Sequence, residues 1–198
     1  MVTSTTHLGG RAKLLSPEEM TEAQRQLYDS FVQHAVPWAK SAGFTGQVPG
    51  GSVIGPFNIA LYSPEIGAAF AKLQSVEESE TTLSERVRQV VILTIGALWQ
   101  CDYERYAHKA VARKAGLAPE TIEVLANEAE PLQLNEEESL ACEFTRRVAT
   151  DHKVSPKLFQ QAEASFGVRG IVDLLFLAGC YFTVCSLLNS FEVPTPTA

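Results

Sequence analysis

The chain has 198 residues, with 45% hydrophobic and 20% charged residues, an ordinary globular composition with enough length for one fully cored domain. A formal net charge of −7, with no basic run carrying interleaved aromatics, argues against a nucleic-acid binder. No apolar stretch of transmembrane length runs uninterrupted by polar residues, and the N-terminus shows no basic segment followed by an apolar one; the expectation is a cytoplasmic protein with no membrane partner. Cys101, Cys142, Cys180 and Cys185 form no C-x-x-C and are expected to be free thiols in a reducing compartment.

Residues 1–14 are polar and are expected to form a flexible arm. Ser16-Pro17-Glu18-Glu19 has the form of a capping box with proline at the first helical position, and predicts a helix to about His34. Repeated glycines and prolines from Val36 to Gly55 predict a long loop, a candidate lid. A short helical turn before Tyr62 follows. Ser63-Pro64 then predicts a helix to about Glu77. Thr82-Leu83-Ser84-Glu85 has the form of a second capping box, opening a helix that is apolar all round from Val90 to Leu98 and therefore buried on most sides.

After a tight break near Gln100, helix formers dominate to Ala115, and Gly116 has the place of a helix-stopping residue. Cys101, Glu104 and His108 fall on one face at spacings of three and four, while Arg105, Lys109 and Arg113 define another. A thiol, a carboxylate and an imidazole in one line make a candidate acid/base or redox constellation. Pro119 starts a short helix to about Asn127, and Asn135 with Glu136 to Glu138 opens the next. Ser155-Pro156 opens another that ends at Gly167, and an apolar helix runs from Arg169 to Ser190 before a fraying tail, 194–198. There is no strand alternation, so the fold class is all-α, one domain over 15–193. The broad apolar helices 84–98 and 169–190 have surface to bury against a partner chain, and a homo-oligomer is expected.

Several of these motifs resemble the carboxymuconolactone decarboxylase family, which also contains the AhpD-type alkylhydroperoxidases. Gly55-Pro56-Phe57-Asn58 with Ser63-Pro64-Glu65 looks like its G-P-x-N…S-P signature. Leu83-Ser84-Glu85-Arg86-Val87-Arg88 is similar to its L-x-x-R-x-R-E segment, and Tyr103-Glu104-x-x-x-His108 with Ala115-Gly116-Leu117 to its central core. The resemblance runs from about Leu14 to the end. It implies an AhpD-like all-α helical bundle, cofactor-free, assembled as a homotrimer or homohexamer. The peroxidase branch has Cys-x-x-Cys-x-x-x-His on the central helix; here Cys101 stands at the first thiol and Glu104 at the second, and Gln89 stands where that branch has a glutamate. The decarboxylase-like branch is the nearer match, with Arg105 in place of its usual tryptophan.

The resulting expectation is a cofactor-independent lyase or isomerase acting on a small oxygenated acid or lactone. His108 is the general acid/base, Glu104 orients it, and Arg88 or Arg105 supplies a cation for a substrate carboxylate. Asn58 and Trp99 are assigned to the same substrate site. One alternative is a thiol peroxidase or disulfide reductase with Cys101 attacking and Cys180 or Cys185 resolving. Another is a non-catalytic helical oligomer that binds a ligand. No metal site is expected, since His7, His34 and His152 lie in unrelated contexts.

Overall fold

In a computed structural model, residues 8–127 and 134–196 are described, and among them the regular structure is helical apart from one isolated antiparallel bridge between Gln47 and Val53. The helices are α1 (Glu22–Ser30), α2 (Val36–Ala42), α3 (Pro56–Ala60), α4 (Pro64–Glu80), α5 (Glu85–Leu98), α6 (Asp102–Lys114), α7 (Pro119–Ala126), α8 (Glu136–Asp151) and α9 (Pro156–Ser190). The fold is all-α, as the missing strand pattern predicts. The chain divides into two compact units. One holds the residues to Leu73 and those from Ser186; the other is Gln74–Cys185.

The first unit departs from expectation at both ends. Ser16-Pro17 opens only a 3-10 turn, Pro17–Glu19, without a side-chain cap. The working box is Thr21 with Gln24, each side chain bonded to the other's backbone N–H, so α1 starts at Glu22. The helix then runs past His34: a π turn at Phe31–Ala35 leads directly into α2. The wider turn accommodates Pro37, which has no N–H to give and would crowd the preceding turn of a regular helix. Gly43, at φ 95°, ends α2.

The loop is therefore shorter than predicted, and it is packed down. Val53 and Ile54 are fully buried, and Tyr28 Oη and Gln47 Nε2 both donate to the Gly51 carbonyl at 2.8 Å. Leu27, Tyr28, Phe31, Val53 and Leu61 form this unit's core. Residues 8–14 are not a loose arm. Ala12 and Leu14 are buried, and Arg11 bonds the Phe191 and Ser190 carbonyls and the Glu192 carboxylate. Residues 1–7, 197 and 198, the rest of the expected arm and tail, lie outside the described residues.

The second unit is built on α5, which packs against α6, α7 and α8 and is buried from Val87 to Ala97. Its N-cap is Ser84, which accepts from Val87 N. Thr82, predicted for that role, instead donates through both N and Oγ1 to Asp173 Oδ2 at 2.8 Å. Val90, Leu93, Ala112, Leu117, Ile122, Leu125 and Cys142 form the apolar core. The box at Asn135 is present as predicted, and its Glu138 carboxylate also takes Arg86 Nε at 2.6 Å.

Helix α9 is broken at Gly167 (φ 66°, ψ 173°), as the sequence placed it. By length and composition α9 is apolar enough to cross a membrane, where the sequence reading expected no such stretch. A core helix meets the same test, and Leu174, Leu177 and Ala178 are fully buried.

Candidate active site

Chain geometry at the α5–α6 junction sets the site. Gln100 takes a positive φ of 50°, which lets Cys101 N bond back to the Gly96 carbonyl at 2.8 Å and turns the chain sharply. Cys101 becomes the N-cap of α6. From there the 3.6-residue period buries Tyr103, Glu104, Ala107, His108, Val111 and Ala112 on one face. The opposite face carries ion pairs, with Lys109 on Glu123 at 2.5 Å and Arg105 on Asp102.

Glu104 and His108 lie one turn apart on the buried face, 3% and 4% exposed. Glu104 Oε1 is 3.0 Å from His108 Nε2. The other ring nitrogen, Nδ1, is 2.8 Å from Gln89 Oε1 on α5. Gln89 is oriented in turn: its Nε2 donates to Glu85 Oε1 at 2.8 Å, so its carbonyl oxygen faces the imidazole. The imidazole is therefore held at both ring nitrogens, by Glu104 and by Gln89. The edge of the Tyr181 ring closes the arrangement, 5.0 Å from the imidazole centroid at 89°. Burial, and next the Glu104 carboxylate, push the Tyr181 phenol well above its ordinary range, so it stays protonated.

Arg88 extends the network. It grips Glu77 with Nη2 to Oε2 at 2.7 Å and Nε to Oε1 at 3.3 Å, and reaches Glu85 Oε2 with Nη1 at 2.7 Å. Burial alone would lower this guanidinium; the forked bond and charge of Glu77 outweigh it and hold the cation firmly. Arg88 and Glu77 side chains are 7% and 6% exposed, whereas Glu85 is 48% exposed. One polar chain thus runs from buried Glu77 through Arg88, half-exposed Glu85 and Gln89 to His108 and Glu104.

The residues predicted from sequence divide accordingly. Glu104, His108 and Arg88 come together, with Cys101 at the start of the same helix. Arg88 is already bound by two carboxylates. Arg105 is turned toward α7, bonding Asp102 and, at 3.2 Å, the Ala126 carbonyl. Trp99, 38% exposed, stacks on Phe182 at 5.8 Å. Asn58 belongs to the first unit and is fully buried; its Oδ1 accepts from Leu15 N at 3.0 Å and its Nδ2 donates to the Lys13 carbonyl at 3.2 Å. That role is to fix the N-terminal segment.

Sequence reasoning missed Glu77, Glu85, Gln89 as an imidazole partner, and Tyr181. The four-residue spacing of Glu85 and Gln89 was a readable signal; the others come from separate helices and leave none. Among the described residues no three His, Cys, Asp or Glu side chains are grouped to hold a metal ion.

Residues 64–147 match the family model of the carboxymuconolactone decarboxylase family. No curated protein matches the chain by sequence. Among solved structures, a peroxidase-related protein with an alkylhydroperoxidase AhpD core from Ralstonia eutropha JMP134 is similar over 96% of this chain and 94% of its own, with a TM-score of 0.74 at 15% identity. A peroxidase-related protein from Silicibacter sp. TM1040 covers 98% and 96%, at TM-score 0.72 and 14% identity. A Cys-to-Ala variant of the debrominase Bmp8, bound to 2,3,4-tribromopyrrole, covers 85% and 88%, at 0.63 and 10%. At such identities these likenesses establish the fold. Residues 64–147 thus carry the match to the carboxymuconolactone decarboxylase family model, within an all-α architecture similar to that of AhpD-type structures.

Proposed function

We propose that this protein is a proton-transfer enzyme of decarboxylase-like or isomerase type, acting on a small oxygenated acid or lactone. The observation that carries the reading is the enclosed pair of Glu104 Oε1 and His108 Nε2 at 3.0 Å, with Gln89 holding the other ring nitrogen. An imidazole held at both nitrogens is oriented before substrate arrives, and orientation is a large part of acid/base efficiency. The family-model match over 64–147 supports an enzyme in general; the reaction type rests on this dyad.

In the proposed reaction the electrons of the breaking C–CO₂ bond flow into a conjugated carbonyl, giving an enolate. The imidazolium of His108 stabilises that anion and then delivers its proton to carbon, and Glu104 holds the charge of the ring. Glu85 accounts for the acidic substrate class. Its carboxylate occupies Arg88 Nη1 and Gln89 Nε2 and is half-exposed, while the Glu77 side of Arg88 is buried. A substrate carboxylate that displaces Glu85 inherits both donors and lies beside His108.

The test is turnover of a panel of small carboxylic acids and lactones, read by mass spectrometry with wild type and His108→Ala. The expected loss is about 10²–10⁴-fold, the usual contribution of a general acid/base, with helical content unchanged. Turnover retained in His108→Ala rejects the reading. A ligand-binding shell without catalysis has no need of an enclosed carboxylate–imidazole pair, which disfavours that alternative.

We also propose a homotrimer or homohexamer. The exposed Val168, Val172, Leu175 and Phe176 recur along one stripe of α9 and would be covered by another copy. Light scattering that gives a monomer at working concentration removes this part.

A further inference from the structure

Tyr28 Oη donates to the Gly51 carbonyl at 2.8 Å, and Tyr62 Oη to the Lys13 carbonyl at 2.7 Å. Tyr181, on α9, differs: its hydroxyl has no hydrogen-bond partner among the described residues. An enclosed tyrosine ordinarily satisfies its O–H. Its ring packs against His108, with centroids 5.0 Å apart at 89°. The phenol lies within electrostatic reach of the Glu104, Glu77 and Glu78 carboxylates and of the Arg88 guanidinium. Glu104 and His108 are closed off from solvent, whereas Tyr181 is partly exposed. An uncommitted donor therefore stands beside the imidazole, on the side that a small molecule can reach.

We propose that the Tyr181 hydroxyl is a catalytic hydrogen-bond donor to the substrate, bonding the carbonyl oxygen that becomes the enolate oxygen while His108 serves the carbon. This inference rests on the proton-transfer reading above and adds the residue that takes the second reacting atom. The role follows from three features. Burial and the Glu104 charge keep the phenol protonated, so it acts as a donor and not as a base. Binding substrate breaks no bond within the protein, because the hydroxyl makes none there. The enolate oxygen lies two bonds from the carbon that is protonated, which suits a donor standing next to the imidazole. Of the charges around the hydroxyl, Arg88 is the one that favours an anion; two carboxylates already hold it, so it acts through its charge.

The Tyr181 proton stays on its own oxygen throughout. As the C–CO₂ bond breaks, its electron pair moves into the conjugated carbonyl, and the oxygen gains the negative charge that the O–H···O bond stabilises. When the carbon takes its proton from His108, the oxygen returns to a neutral carbonyl and the bond weakens. A donor aimed at this oxygen therefore acts more strongly on the transition state than on the bound substrate. That is the condition for raising kcat instead of only lowering KM.

The test uses the whole protein and a small enolate mimic, 3-nitropropionate in its nitronate form, with propionate as the carboxylate-only control. Binding is measured by isothermal titration calorimetry for wild type and Tyr181→Phe. Phenylalanine keeps a ring against His108 and removes only the hydroxyl. Wild type is expected to bind the nitronate about 10–100-fold more tightly than propionate, the worth of one hydrogen bond to a charged oxygen. Tyr181→Phe is expected to bind the two anions alike, with its affinity for propionate unchanged. For any acid that wild type turns over, kcat is expected to fall about 10²–10³-fold in Tyr181→Phe, with KM little changed.

Equal affinity of wild type for the two anions, or a nitronate preference that survives in Tyr181→Phe, would overturn the proposal. So would an unchanged kcat in that variant. Removing a hydroxyl that has no internal partner orphans no other group, so helical content should be unaffected. If helical content is lost, the wild-type comparison of nitronate with propionate alone decides. No binding of either anion, with turnover retained in His108→Ala, sinks the proton-transfer reading and this inference with it. Propionate bound without a nitronate preference sinks this inference only.

Discussion

Helices α5 and α6 contribute to two kinds of interior. In one, Val90, Leu93 and Ala112 join Leu117, Ile122, Leu125 and Cys142 in an apolar core. In the other, Arg88, Gln89, Glu104 and His108, all at most 6% exposed, make a network completed by Glu77, Glu85 and Tyr181. The apolar side is stable without exact partners, because dispersion and water exclusion are non-directional. The polar side is stable only while every partner is in place, since a charge left alone in that environment costs several kcal/mol. Apolar residues of similar volume would fold as well or better there. The ionic interior is therefore the part of the second unit that stability does not require, which is why chemistry is assigned to it.

Four substitutions or conditions test that contrast. The largest effect is expected from Glu77→Ala, which strips Arg88 of its buried partner; urea unfolding should show a loss of about 3–5 kcal/mol. A cost no greater than for the surface residue Glu143 would mean that the network is not enclosed. On the apolar side Leu125→Ala should cost about 2–5 kcal/mol through transfer and cavity effects, with turnover per folded molecule unchanged. Activity lost in step with that substitution would blur the division between the two interiors.

The third is alkaline pH. Burial, and then the Glu77 charge, push the Cys180 thiol from 9.0 up to about 11. The folded state resists ionisation that the unfolded state undergoes, so this contribution is complete below pH 9 and lost as pH rises through 11. The difference corresponds to roughly 3 kcal/mol at most. Unfolding under reducing conditions between pH 8 and 10.5 should show stability falling, less steeply in Cys180→Ala. A flat profile in wild type would contradict it. The smallest effect is at Thr145, fully buried on α8, whose hydroxyl makes no hydrogen bond among the described residues. Thr145→Val should raise stability by about 1 kcal/mol; destabilisation would reveal a partner for the hydroxyl.

Much of the second unit was legible because its signals are local. Asn135 with Glu138, Gly116, Gly167 and the apolar run of α5 each act within a turn of their own position. The first unit was less legible. Ser16-Pro17 and Thr21-Gln24 are both reasonable starts, and sequence cannot rank two caps only a few residues apart. Pro37 reads as a helix stop unless the turn before it widens, which the π turn at Phe31–Ala35 does.

The sequence by itself determined the helical class, most helix ends, and the placing of Glu104 and His108 on one face, because these follow from backbone period and capping within a few residues. Tertiary structure alone decided that Gln89 holds the imidazole, that Glu77 and Glu85 share Arg88, and that Tyr181 closes on His108. Those pairings depend on how separate helices approach one another. That approach is set by the fit of whole packed surfaces, which no short spacing in the chain encodes.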